Sequence, residues 1–205
     1  MKSGIIRIRL PYMRPIVATD IDEVLVPFLE SGFFPWYNAR NGTDYQREDV
    51  TRSYRLHENL GNTGEYWVGQ MRLFFLDGGL RRLGVMDNAQ EMVAQLARIA
   101  DVHAVTARPV EWHEDTMTHM NEHFPQVRDT HSLEAYLAHG KKAQKCLELD
   151  ARVMIEDSKD YARECVDAGV QVILMDAPWN QGALPSGVYR VYSWREIPAL
   201  VRRLL

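Results

Sequence analysis

The stretch Ile16-Val17-Ala18-Thr19-Asp20-Ile21-Asp22-Glu23-Val24 joins a short apolar, β-branched run to an abrupt acidic end. Bounded by Pro15 upstream, such a run reads as a strand buried on both faces of a parallel sheet; a half-exposed strand would alternate apolar with polar residues. The same form recurs at 102–106, 152–157 and 170–176, which end in Thr106, Glu156-Asp157 and Asp176, and a last strand is expected at 188–192. Helical patterns occupy 88–99, 110–124, 141–149, 161–168 and 194–204. Strand and helix in alternation predict an α/β fold with a doubly wound, mostly parallel, Rossmann-like sheet.

Between about Val24 and Val85 that rhythm is lost and aromatic residues accumulate, among them Phe28, Phe33, Phe34, Trp36, Tyr37, Trp67, Phe74 and Phe75. A structureless loop of roughly 60 residues has no place in a compact domain. The expectation is a core domain made of residues 1–25 and 86–205, with a small, mostly helical cap at 26–85 inserted directly after the first strand.

Composition narrows the function. The chain has 205 residues, 46% of them apolar and 25% charged, which excludes a disordered or low-complexity protein. Its formal charge of −4 gives no basic footprint for a nucleic-acid polymer. Two cysteines, Cys146 and Cys165, make no disulfide scaffold and point to buried packing in a reducing, cytoplasmic compartment. Arg7 and Arg9 interrupt Ile5, Ile6 and Ile8, so no signal peptide is expected, and no run of 18 apolar residues offers a membrane span.

In open parallel sheets, ligands bind beyond the carboxyl ends of the strands. Asp20 and Asp22 stand two apart on an extended segment, which points both carboxylates the same way. Glu156 and Asp157 end another strand, Asp160 follows, and Thr106 ends a third. Acids gathered around one hydroxyl repel one another without a cation, and hard carboxylate oxygens suit Mg²⁺. His119-Met120-Asn121-Glu122-His123 matches a zinc-peptidase spacing, but Met117, Met120 and Phe124 form the apolar helical face, so both histidines are expected in solvent.

These residues, in order, resemble the four motifs of the haloacid dehalogenase superfamily: Asp20-Ile21-Asp22-Glu23-Val24, Thr106, a lysine of Gly140-Lys141-Lys142, and Glu156-Asp157-Ser158-Lys159-Asp160. Lys142 is preferred over Lys141 because it stands 14 residues before Glu156, as in similar sequences. Phe28, Phe74-Phe75-Leu76-Asp77 and the tail Ser193-Trp194-Arg195-Glu196-Ile197 are similar to the cytosolic and mitochondrial 5′(3′)-deoxyribonucleotidases. Glu23 stands where that pattern commonly has glycine, Ala107 where it has serine, and Glu156 where it has aspartate.

The resemblance implies a Mg²⁺-dependent phosphomonoesterase that dephosphorylates nucleoside monophosphates through an aspartyl phosphate on Asp20. Asp22 would act as acid and base. Thr106 and the amides near Ala107 would hold phosphoryl oxygens, and Lys142 would offset charge. Mg²⁺ would sit on Asp20, the Asp22 carbonyl and Asp157, with Glu156 or Asp160 supporting Lys142 or acting through water. Phe28, Phe75 and Arg108 are candidate substrate contacts. Two other readings stand beside this one: a phosphatase of sugar phosphates or other small phosphometabolites, and a catalytically silent phosphate-sensing protein. Oligomeric state is open, a homodimer included.

Overall fold

The computed structural model describes residues 14–134 and 139–205, so the expectation about Ile5 to Arg9 lies outside the described residues. Six parallel strands, β1 (Ile16–Thr19), β2 (Asp101–Thr106), β3 (Asp129–Ser132), β4 (Ala151–Glu156), β5 (Gln171–Met175) and β6 (Val188–Val191), form one sheet in the order β3-β2-β1-β4-β5-β6. This is the doubly wound order, with its reversal between β1 and β4. Five of these strands are the apolar runs read from the sequence. The sixth, β3, was not foreseen.

Nine α-helices are described: α1 (Phe34–Asn41), α2 (Leu56–Leu60), α3 (Gly64–Leu76), α4 (Gly79–Arg82), α5 (Ala89–Leu96), α6 (His113–His123), α7 (Lys141–Glu148), α8 (Lys159–Asp167) and α9 (Ile197–Leu204). The first four, with a π-helical turn at Leu29–Phe33, fill the segment between β1 and α5 and contain no strand. α7 and α8 pack Ala143, Cys146, Ala162 and Cys165 on one face of the sheet. On the other face, Met92, Val93 and Leu96 of α5 and Ile197 and Val201 of α9 join a core continuous with the aromatic residues of the inserted helices. Phe33 is the hub, with Phe28, Phe34, Trp36, Tyr37, Trp67 and Phe74 all within 6.2 Å of it between ring centroids. Truncating one such buried ring costs about 3–5 kcal/mol.

A tight turn follows β1. Leu25 and Val26 donate to the Ile21 carbonyl and Glu23 donates to Val26, which requires Glu23 at φ 59°. That left-handed conformation is what glycine adopts freely, and here a glutamate occupies it. The buried Glu23 carboxylate accepts from the Leu29 amide at 2.7 Å and from Arg47 Nε at 2.9 Å. Trp194 fastens the turn from the far end of the chain, its Nε1 donating to the Val24 carbonyl at 2.7 Å. The tail residues of the sequence resemblance therefore have a structural task.

Candidate active site

Asp20, the first residue beyond β1, is buried between two anchors. Its Oδ1 accepts from the Ile21 amide at 2.7 Å and its Oδ2 accepts from Lys142 Nζ at 2.5 Å. Lys142 opens α7. Its Nζ also donates to both oxygens of Glu156 at 3.1 Å and lies 4.4 Å from the centre of the Tyr161 ring. Lys141 turns away, its Nζ bonding to the carbonyls of Leu133 and Glu134. The structure thus separates the two lysines left as candidates, and Lys142 is the one at the carboxylates.

Asp20, Glu156 and Asp157 offer carboxylate oxygens within 4.8 Å of one another, and all three residues are buried. Burial raises the Asp157 carboxyl to about 8, with the nearby Asp20 charge acting in the same direction. Burial also raises Glu156 well above the usual carboxylate range, despite the opposing pull of Lys142. For Lys142, burial works against the charge, but Asp20 and Glu156 outweigh it and the ammonium is held charged beyond its ordinary range. Three buried acids share one ammonium, and two of them hold their protons far above the usual range, so ionising the whole set calls for further positive charge. A hard divalent cation on oxygen ligands matches that deficit.

Asp22 lines the same cleft as Asp20 but faces a different cation. Both carboxylates line one cleft, Asp20 held by Lys142 and Asp22 by Arg108. Arg108 grips Asp22 with both arms, Nε to Oδ2 at 2.9 Å and Nη2 to Oδ1 at 2.6 Å, while its Nη1 donates to Thr116 at 3.4 Å. Arg108 is buried, its side chain only 1% exposed, so it is no surface arginine. Thr106 ends β2 with its hydroxyl accepting from the Arg108 amide at 3.3 Å.

Asp160 is a correction as a direct support of Lys142. It does not reach Lys142 or the carboxylates; its Oδ2 accepts from Arg55 Nη1 at 2.5 Å, joining α8 to the inserted helices. On the first turn of α8 its side chain is half exposed and engaged by Arg55. Of the two acids expected to support Lys142, Glu156 is the one bonded to it. His119 is a second correction, since it is buried and not in solvent. The buried stripe of α6 runs through Thr116, His119 and Met120. Burial, with Arg108 nearby, lowers the His119 imidazole to about 4. No metal-ligand group containing His119 or His123 exists among the described residues.

The cleft above the carboxylates has an empty volume of about 790 Å³, counting its open mouth. Phe28 and Phe75, two of the expected contacts, line it, as do Thr106, Ala107 and Arg108. Phe74 packs beneath, edge-on to Phe28 and Phe33. Sequence reasoning missed Glu23, Leu29, Tyr54, Val68, Met71 and Tyr161 in the lining. Trp179, noted only as a neighbour of a strand end, is also in the wall, and its Nε1 donates to Asp157 Oδ2 at 2.8 Å. Asn180 fixes the same loop by donating to the carbonyls of Asp157 and Met175 at 2.7 Å.

Comparison with known proteins agrees with this arrangement. The family model described as 5′-nucleotidase, deoxy (pyrimidine), cytosolic type C protein matches residues 14–205. The chain belongs to this family. Membership of the type C nucleotidases makes it a haloacid dehalogenase superfamily phosphatase, a hydrolase of phosphoric monoesters. BH1399 of Halalkalibacterium halodurans, a provisionally named nucleotidase, is 26% identical over 174 residues, covering 82% of this chain and 84% of that one. Among solved structures, a predicted phosphatase from Clostridium acetobutylicum superposes with a TM-score of 0.68 at 15% identity, covering 93% of this chain and 99% of that one. YfnB from Bacillus subtilis, solved bound to magnesium, gives 0.64 at 14% identity over 92% and 99%. At such identities the structural likeness speaks for the fold.

Proposed function

We propose that this type C nucleotidase is a Mg²⁺-dependent phosphatase of nucleoside monophosphates. The observation that carries the reading is the buried set Asp20, Glu156, Asp157 and Lys142, of which Asp20 and Asp157 line a cleft walled by aromatic side chains. Asp20 and Asp157, with the Asp22 backbone carbonyl, would hold Mg²⁺, which supplies charge neutralisation for the phosphoryl group.

This chain's own residues supply the remainder. Phosphoryl transfer depends on positioning and on offsetting negative charge. Asp20 has Oδ1 fixed by its neighbour's amide and Oδ2 by Lys142, which aims the carboxylate as a nucleophile toward phosphorus. Lys142 spreads the charge that grows as the Asp20–phosphorus bond forms. Asp22 would give a proton to the departing sugar oxygen and later take one from water. Arg108 sets the orientation of Asp22 through the two-armed contact, a role beyond the phosphate contact expected from sequence. Thr106 and Ala107 line the cleft, and the Thr106 hydroxyl and a nearby backbone amide would hold phosphoryl oxygens.

The inserted residues 26–85 are read as a cap. Phe28, Phe75 and Tyr54 from that segment and Trp179 from the core would stack a nucleobase and keep bulk water from the phosphoryl group. A cytoplasmic setting is in keeping with two free, buried cysteines and with the family description. No helix among the described residues is long and apolar enough to cross a membrane.

The test is a panel of nucleoside monophosphates, sugar phosphates and other small phosphate esters, assayed for phosphate release with Mg²⁺ and with EDTA. Turnover of nucleoside monophosphates that is lost in EDTA and in Asp20→Asn is expected. Preference for a compound without an aromatic base would overturn the substrate assignment. Activity in Asp20→Asn would overturn the nucleophile, and silence across the panel would favour the phosphate-sensing reading.

A further inference from the structure

Away from the acid cluster, at the opposite edge of the sheet from β6, β2 and β3 bring together His103, Asp129 and His131. His103 lies across from Asp129 in the strand register, and His131 lies across from Val105, two residues beyond His103. Residues two apart on a strand share a face, so all three side chains project on the face that carries Val105. Val105 belongs to the core packed under α7, which places the group on the α7 side of the edge. His103 Nδ1 and His131 Nε2 are 3.4 Å apart, with the rings nearly parallel at 10°. Asp129 Oδ2 is 3.7 Å from His131 Nε2, and one ligand atom from each residue falls within 4.8 Å of the others.

We propose that His103, Asp129 and His131 form a second metal site, for a borderline divalent cation of the Zn²⁺, Co²⁺ or Ni²⁺ class, which fastens edge strand β3 to β2. Two imidazole nitrogens and one carboxylate oxygen are the ligand types such ions select over Mg²⁺. The spacing is already that of a bound ion: bonds of about 2.0–2.1 Å at a tetrahedral angle put two nitrogens about 3.3 Å apart. The carboxylate is also prepared. Asp129 Oδ1 accepts from the Thr130 amide at 2.8 Å, which leaves Oδ2 directed at the histidines. Asp129 is half exposed, so the site opens to solvent, and water would complete the coordination.

Both imidazoles are suited to ligation, since burial lowers their pKa values, with Asp129 opposing. A neutral ring has a lone pair to give without first losing a proton. The neighbouring cations are engaged elsewhere: Lys145 pairs with Glu148, and Arg128 with Asp101 at 2.5 Å. A metal-free alternative is a plain imidazole–imidazole hydrogen bond, and the two differ in what the protein retains.

The full chain is dialysed against micromolar Zn²⁺ in excess Mg²⁺, which keeps the acid cluster out of the measurement, and retained zinc is determined per chain. Co²⁺ in place of Zn²⁺ gives a visible absorption band as a second readout. About one equivalent is expected in the wild type, in Asp157→Asn and in His123→Ala, with affinity reduced at least about tenfold in His131→Ala and His103→Gln. In EDTA the His131→Ala protein should melt with the wild type, since that side chain is near the exposed edge, while Zn²⁺ should raise the wild-type Tm alone. No zinc retained by the wild type, equal retention by His131→Ala, or retention lost in Asp157→Asn would each overturn the proposal.

Discussion

Replacing Lys142 with methionine isolates the electrostatics of the acid cluster from its chemistry. The ammonium is completely buried, bonded to Asp20 at 2.5 Å and to both oxygens of Glu156 at 3.1 Å. Methionine fills similar volume but leaves the Asp20 carboxylate and two further buried acids with no cation. Breaking a buried pair from one side costs about 3–5 kcal/mol, because the orphaned charge stays in a poor solvent. The contact with the Tyr161 ring at 4.4 Å is lost as well. Against a typical stability of about 5–15 kcal/mol, that is a large fraction. Lys141→Met is the control: one residue away, exposed and bonded only to carbonyl oxygens, it should cost about 1 kcal/mol or less. Glu156→Gln in the Lys142→Met background removes one orphaned charge, so the double variant should be more stable than the single by about 1–3 kcal/mol. The assay is urea denaturation in EDTA, repeated with Mg²⁺, which should restore part of the loss in the single variant. A Lys142→Met cost no larger than that of Lys141→Met, or a double variant that loses the sum of both changes, would refute the reasoning.

Asp157 carries a pH signature: its folded pKa of about 8 lies above the ordinary 3.8, so the metal-free protein loses stability as pH rises from about 4 through 8. Mg²⁺ must displace that proton, so its affinity should rise by up to about tenfold per pH unit toward pH 8 and then level off, and a flat calorimetric profile would contradict this. Phe75→Ala should raise KM for a nucleoside monophosphate by roughly tenfold or more, given about 1–3 kcal/mol per stacked base, and leave KM for a small alkyl phosphate unchanged. Gly79→Ala should cost about 1–3 kcal/mol in thermal denaturation, because a methyl there would come within 2.4 Å of the Phe74 ring, while Gly84→Ala, with open space around it, should be silent.

The parallel core was legible because buried strands of such sheets are continuous apolar runs, and their acidic ends announce the site. Lys142 was legible from its spacing: a helix that descends beside the sheet and a strand that returns bring Lys142 and Glu156 back to one level. β3 was not, since Asp129-Thr130-His131-Ser132 lies at a sheet edge and has one neighbouring strand, where no apolar run is required. His119 was misread because a single apolar face was assumed for α6. The buried side of α6 runs through Thr116, His119 and Met120, with Arg108 donating to Thr116, so polar residues take part of the face that was expected to be apolar. Glu23 had no local signal beyond standing at a glycine position; its partners, Leu29 and Arg47, are set by the tertiary structure.

The sheet order has a consequence for synthesis. β1 emerges from the ribosome first of the six strands, yet it is central, and its partners begin only at Asp101 and Ala151. At bacterial to eukaryotic elongation rates the strand that presents Asp20 waits on the order of ten seconds for its second neighbour. During that time Ile16 to Ala18 form an unpaired apolar segment, open to a chaperone or to the wrong edge. A nascent chain halted before Ala151 should therefore hold neither Lys142 nor Glu156 against Asp20, and the site is assembled only once β4 has been made.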